Sequence, residues 1–336
     1  MSRRRRIENR PGAPRLWLAL GAVGLVLILG IVGFGYYWQS VGPARGPAVR
    51  VNNVTYDMGY LLKMLRLLSM GPNAAPGKMA LELPQLLMSN ELIRQGSPRY
   101  NISVTPAEVD SELRRRVLPP SSPGEEAEKA RLDREFQHLY QQRLNEYKLS
   151  DGEYRRIVEI DLLREKLRER LGERVPTVAE QVHVQAIVVA DEAKVTEAEK
   201  KLQEGKDFVA LVKEYSVDED SRDKDGDLGW FPREVKPAPF DEIVFSLETG
   251  AVSSPFSVWD SPGGQPVTYL VKVLEKAQVR EIDKKNREKL KDRALDRWVE
   301  EERKANDVQL WWDQDKYFWV LKELEKQGIG GPKKES

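Results

Sequence analysis

Residues 182–279 limit the possible folds of this chain more than any other stretch. Val182–Ala190 is β-branched and apolar, the pattern of a buried strand. Thr196–Tyr215 reads as helix. Thr196-x-x-Glu199 has capping-box spacing, and Phe208, Leu211, Val212 and Tyr215 recur as one helical stripe. Gly226-Asp227-Leu228-Gly229-Trp230-Phe231 follows as a loop. Then come a short helix near Phe240–Leu247, a Thr249-Gly250 turn and a second strand over Val267–Leu274. Strand, helix, loop, short helix and strand predict a small α/β module.

The flanks have a different character. Leu16–Trp38 holds no charged residue, and as a helix its 23 residues would span about 35 Å, enough for a bilayer core of about 30 Å. Arg3–Arg6, Arg10 and Arg15 precede it, and Tyr36, Tyr37 and Trp38 close it. Basic residues stay cytoplasmic and aromatic rings sit at the interface. The reading is a single-pass anchor over 16–38 behind a basic cytoplasmic tail, residues 1–15, with the main body extracytoplasmic. A cleaved signal peptide is the rival. Against it, the run exceeds the usual core of about 7–15 residues and lacks a clean small-x-small site after it. Residues 39–48 are a Gly/Pro linker.

Residues 49–180 read as a helical arm. Val49–Val54 is a short strand, and Met58, Leu61, Leu62, Leu65 and Leu68 share a helical face. Met70–Lys78 reads as a loop and Leu83–Arg94 as a second helix. Thr105-Pro106-Ala107-Glu108 and Ser150-x-x-Glu153 are capping boxes that open two more, with a further helix around Phe136, Leu139 and Tyr140 after the Pro119–Gly124 break. Asp283–Asn306 is a long charged return helix within residues 281–326, and 327–336 is a disordered tail. Four of the eight tryptophans lie between Trp298 and Trp319. They either complete the core of the arm or form an exposed cradle for unfolded chains.

Composition removes several chemistries. Lys+Arg and Asp+Glu both total 54, without the basic excess of a protein dedicated to nucleic acid. There is no cysteine, so disulfides, thiol catalysis and zinc–thiolate sites are excluded. Only His138 and His183 are available as imidazoles, and His138 sits among polar neighbours. Ser221–Gly226 looks like part of a calcium loop. Its first and twelfth positions, however, hold Ser221 and Pro232 instead of acids, so it reads as a solvated acidic loop. No metal and no cofactor are expected.

Two sets of motifs carry a resemblance. The run Tyr215-Ser216-Val217-Asp218, Gly226–Phe231, Pro239-Phe240, Phe245-Ser246-Leu247-x-Thr249-Gly250 and Leu270-Val271-Lys272-Val273 resembles a parvulin-type peptidyl-prolyl isomerase domain over its whole length. Val51–Thr55, Asn90–Gln95, Ile102–Asp110 and Leu149–Tyr154, in that order, resemble the N-terminal arm of the SurA/PrsA-type foldases. The resemblance implies an α+β chain: a transmembrane helix, then a mainly helical chaperone domain completed by the C-terminal helices. Inserted at 181–280 would be a parvulin-like domain with a four-stranded antiparallel sheet and flanking helices.

It also implies a site. Leu228 and Phe240, with Val235 and Trp230, would bind the proline ring, and Asp218 and Tyr269 would be the polar groups beside the amide. Rotation about that bond faces a barrier of about 18–20 kcal/mol and needs no nucleophile or cofactor. The chain departs from the pattern at both usual histidines, where Ala186 and Tyr269 stand, and near Val235 or Lys236, where a Met is usual. His183, three residues before Ala186, points to the opposite strand face. Three readings stay open: a membrane-anchored foldase with weak or lost isomerase activity, a competent isomerase, and a scaffold that only binds polypeptide.

Overall fold

The computed structural model describes Leu25 and residues 42–71, 74–118, 126–259 and 266–329. The anchor segment Leu16–Trp38, Leu25 apart, lies outside the described residues. So do the Pro119–Gly124 break, most of the loop between Trp259 and Pro266, and the end of the tail. Among the described residues no helix is long and apolar enough to cross a membrane. Described residues up to Met88 and from Asp307 onward form one compact unit, and Ser89–Asn306 form a second.

In the first unit, β1 (Pro47–Val51) and β2 (Val54–Asp57) pair antiparallel across Asn52-Asn53. The single strand expected over Val49–Val54 is therefore a hairpin. Asn52 sits at φ 54°, a left-handed conformation that Asn tolerates better than most residues. Asp57 caps α1 (Met58–Leu68) by accepting from the Tyr60 amide at 2.7 Å. Helix α2 (Pro76–Gly96) starts earlier than Leu83 because Pro76 suits a first helical turn, and it carries Pro84 within it.

The second unit takes in α3 (Pro106–Val117), α4 (Glu126–Tyr147) and α5 (Asp151–Gly172). Both predicted capping boxes are formed, at Thr105/Glu108 and Ser150/Glu153. Next comes the sheet module: β3 (Val178–Val189), α6 (Glu192–Gln203), α7 (Phe208–Tyr215), β4 (Asp227–Pro232), α8 (Ala238–Ser246), β5 (Phe256–Val258) and β6 (Val267–Glu281). Helix α9 (Lys284–Ala305) follows and is held to α5 by Arg168, which reaches Glu288 at 2.8 Å and Asp292 at 2.5 Å. The chain then returns to the first unit, where β7 (Val308–Leu310) pairs with β1, and α10 (Gln314–Lys326) ends the described fold.

Trp298 is 4 % exposed, packed with Ile93, Leu163, Leu167 and Leu295, and its indole N–H donates to Tyr100 Oη at 2.9 Å. Gly96 makes room for it, since a Cβ there would lie 2.6 Å from the ring. Trp311, Trp312 and Trp319 are half-buried. For Trp298 the core reading holds.

The module's sheet has the order β4-β3-β6-β5, with every neighbouring pair antiparallel. Period-two alternation on β3 separates two cores. Ile187 and Val189 pack under α6 and α7, with Phe208, Leu211 and Val212. Val182, Val184, Ala186 and Val188 pack on the other face with Phe231, Phe240, Val244 and Phe245. Three local expectations change. The Thr196–Tyr215 run is two helices: Asp191 caps α6, Thr196 lies inside it, and Gly205 at φ 84° breaks it. Gly226–Phe231 is mostly the edge strand β4 and not a loop. Strand β5, three residues long, is too short for its alternation to register in sequence.

Candidate proline-binding site

The α8 face of the sheet gathers an aromatic cluster around Phe240. Phe231, Phe256 and Tyr269 surround that ring, with centroids at 5.7, 5.5 and 5.3 Å and tilted or edge-on geometry. Tyr269 also stacks on Phe256 at 5.9 Å. Such pairs are worth about 0.5–1.5 kcal/mol each beyond the area they bury. Phe240 is 1 % exposed and forms the floor. Tyr269, Phe256 and Leu228 are half-buried and present the accessible apolar surface.

Leu228 reaches this face through a break in the ladder. Gln185 pairs with Asp227 and Val184 with Gly229, so β4 carries one residue more than β3 across that step. On a regular strand Leu228 would alternate with Gly229 and Phe231 to the far side. The bulge turns it inward, where it packs against the Phe240 cluster. Gly229, at φ 74°, supplies the backbone conformation that the bulge needs.

Hydrogen bonding and register bring Asp218 to the same end of the sheet as Tyr269. The Val217 amide donates to the Val188 carbonyl at 2.8 Å, and Val188 faces Tyr269 across β3 and β6, with Phe256 next in the row. Asp218 follows directly. Its Oδ2 accepts from Ser221 Oγ at 2.6 Å, which aims the carboxylate and ties down the acidic loop. Ala186 is fully buried on the Phe240 face.

The segment 233–237 closes the other side. Val235 is 8 % exposed and belongs to the core. The Lys236 ammonium lies 5.6 Å from the Phe240 centroid and 6.0 Å from that of Phe231, a cation–π arrangement at the edge of the cluster. Glu234, at φ 69°, donates its amide to Asp241 Oδ2 at 2.5 Å. Asp241 is 7 % exposed, and burial pushes its carboxyl up to about 6, against the opposing pull of that amide.

Trp230 is not part of this arrangement. It pairs with His183 across the sheet, on the face away from Phe240, and the two rings stack at 5.4 Å. Alternation alone places it there, since Phe231, the next residue, points inward. Arg280 covers the indole at 4.1 Å, and His183 Nε2 is hydrogen-bonded to Asp227 Oδ1 at 2.8 Å. His183 thus stays on the far face. Sequence reasoning missed Phe256, Lys236 as an aromatic partner, and Asp241. Only Phe256 left a trace, as the aromatic directly after Pro255.

Leu228, Phe256 and Tyr269 around Phe240 thus form a partly exposed apolar surface, with the Lys236 ammonium beside the rings. Among the described residues no group of three His, Asp or Glu side chains is placed to hold a metal ion.

Residues 183–270 match the Rotamase family, described as the PPIC-type PPIASE domain. The module is therefore a peptidyl-prolyl isomerase domain of the parvulin type. The chain that carries it is similar in sequence to PrsA and SurA foldases. It is 32 % identical over 173 residues to the foldase protein PrsA of Caldanaerobacter subterraneus subsp. tengcongensis, covering 50 % of each chain. It is 49 % identical over 70 residues to foldase protein PrsA of Bacillus subtilis, 20 % of this chain and 24 % of that one. Chaperone SurA of Xanthomonas euvesicatoria is 45 % identical over 64 residues, 19 % of this chain and 14 % of that one. The chain spans about half the length of the first PrsA relatives it matches. A crystal structure of a peptidylprolyl isomerase (PrsA) from Bacillus anthracis is 21 % identical, with a TM-score of 0.40 over 73 % of this chain and 97 % of that one.

Proposed function

We propose that this protein is a membrane-anchored extracytoplasmic foldase. Its parvulin-type module grips proline-containing segments of unfolded secreted chains, its helical arm holds the rest, and its isomerase rate is low. The observation that carries the reading is Leu228, turned by the β4 bulge onto the Phe231–Phe240–Phe256–Tyr269 cluster with Ala186 at its back. Binding needs only the apolar shelf. Acceleration needs polar groups that favour the twisted amide over the planar one, and the positions where the resemblance calls for imidazoles hold Ala186 and Tyr269. Uncharged Leu16–Trp38, flanked by arginines on one side and aromatics on the other, supports the anchor.

A proline-limited refolding assay with the full chain, run beside a peptide-binding measurement, tests this. Binding of an Ala-Pro peptide with little acceleration of the slow phase is expected, and Leu228→Ala should weaken that binding about tenfold, on the order of one buried side chain's contact. Acceleration comparable to a dedicated isomerase, abolished by Asp218→Ala, would show a competent enzyme instead. No binding at all would leave the foldase reading without support.

A further inference from the structure

A cavity of about 320 Å³ opens at the opposite end of the same sheet. Leu171, Val175, Ile282, Leu290 and Ala294 give it an apolar floor. Ile282 and Leu290 are buried members of the Phe240-side core, so the floor is fixed in shape. Three arginines, Arg174, Arg233 and Arg297, stand around it. Two are neutralised: Arg297 meets both oxygens of Glu234 at 2.9 Å, and Arg233 reaches Glu180 at 3.4 Å. The Arg174 guanidinium has no ion-pair or side-chain hydrogen-bond partner among the described residues.

The volume lies at the lower end of the span of about 300–1,000 Å³ typical of ligand pockets, which suits one or two side chains. The cavity is far from the proline shelf. Ala179 lines it, while Val188 faces Tyr269, and nine residues of β3 separate the two, about 30 Å.

We propose that this cavity is a second polypeptide-binding site. It takes an apolar side chain of an unfolded chain, with a carboxylate two residues away paired to Arg174. In an extended segment residues i and i+2 point the same way, so both reach one surface. The unmatched charge at the mouth selects acid over base. This rests on the reading that the module handles unfolded polypeptide, and it adds a sequence preference: an apolar-x-acidic triplet. An extended chain of about nine residues covers the distance from cavity to shelf, so one client can occupy both.

The test is fluorescence anisotropy with the full chain and three proline-free, fluorescein-labelled peptides: Gly-Ser-Leu-Ser-Glu-Ser-Gly, the same peptide with Leu replaced by Ser, and the same with Glu replaced by Lys. The first should bind at least tenfold tighter than the other two. Ala294→Trp, which fills the cavity, and Arg174→Glu, which reverses its mouth, should each remove that advantage, and Leu228→Ala should not. Equal affinity for the three peptides, or a preference that survives both cavity substitutions, overturns the proposal. An Ala-Pro peptide measured in parallel separates the two readings. If it binds while the triplet peptide does not, the cavity site alone is wrong; if neither binds, both fall.

Discussion

Asp241→Asn should stabilise the protein in a pH-dependent way. The carboxylate is buried, its Oδ2 holds the Glu234 amide, and its Oδ1 has no hydrogen-bond partner among the described residues. Burial raises the folded group from an ordinary 3.8 to about 6. Below pH 3.8 the group is protonated in both states and contributes no difference. Between about pH 4 and 6 the unfolded chain releases the proton and the folded chain keeps it. The folded state then binds more protons, so stability falls as pH rises, and the loss is complete above the folded value. Two pH units correspond to about 3 kcal/mol. Asn keeps an oxygen for the Glu234 amide and carries no charge to bury. Urea unfolding of both proteins from pH 4 to pH 8 checks this. The wild type should lose about 3 kcal/mol relative to the variant across that range, roughly a 1 M shift in midpoint at an m-value of about 3 kcal/mol/M. Parallel stability curves for the two proteins would refute the reasoning.

Two further outcomes follow from packing. Gly226→Ala should destabilise the module by at least about 2 kcal/mol, read as a lowered unfolding midpoint, because φ is +84° and the new Cβ would lie 2.7 Å from the Ala186 carbonyl oxygen. Trp298→Ala should cost about 3–5 kcal/mol by opening the α5–α9 core and leaving the Tyr100 hydroxyl without its donor; calorimetry with near-UV circular dichroism measures both the loss and its location.

Much of the architecture was legible because local chemistry and tertiary packing agree. Thr105/Glu108 and Ser150/Glu153 start helices wherever they occur ahead of an apolar stripe. Asp283 and Asn306 mark both ends of α9. The β-branched runs gave β3 and β6, though not their length, because their outer ends alternate charged and apolar residues as any exposed strand does. Gly226–Phe231 was misread because two glycines in six residues look like a loop, whereas here Gly229 serves a bulge. That bulge also explains the mixed outcome at the site. Leu228 is on the aromatic face only because of an irregularity in pairing, which no period reveals, while Trp230 is excluded by ordinary alternation. Phe240 with Tyr269 could be paired by resemblance. Phe256, Lys236 and Asp241 could not, since their roles depend on which neighbours the fold delivers.

The two ends of the module meet. Val178 and Glu281 face each other in register, and the Ile282 amide donates to the Thr177 carbonyl just beyond them. Chain therefore leaves α5 and comes back to α9 through a doorway two strands wide. A hundred residues hang from this doorway as a cassette, and Leu290 of α9 plugs into their interior, so the hinge that admits the module also fastens its core to the returning helix.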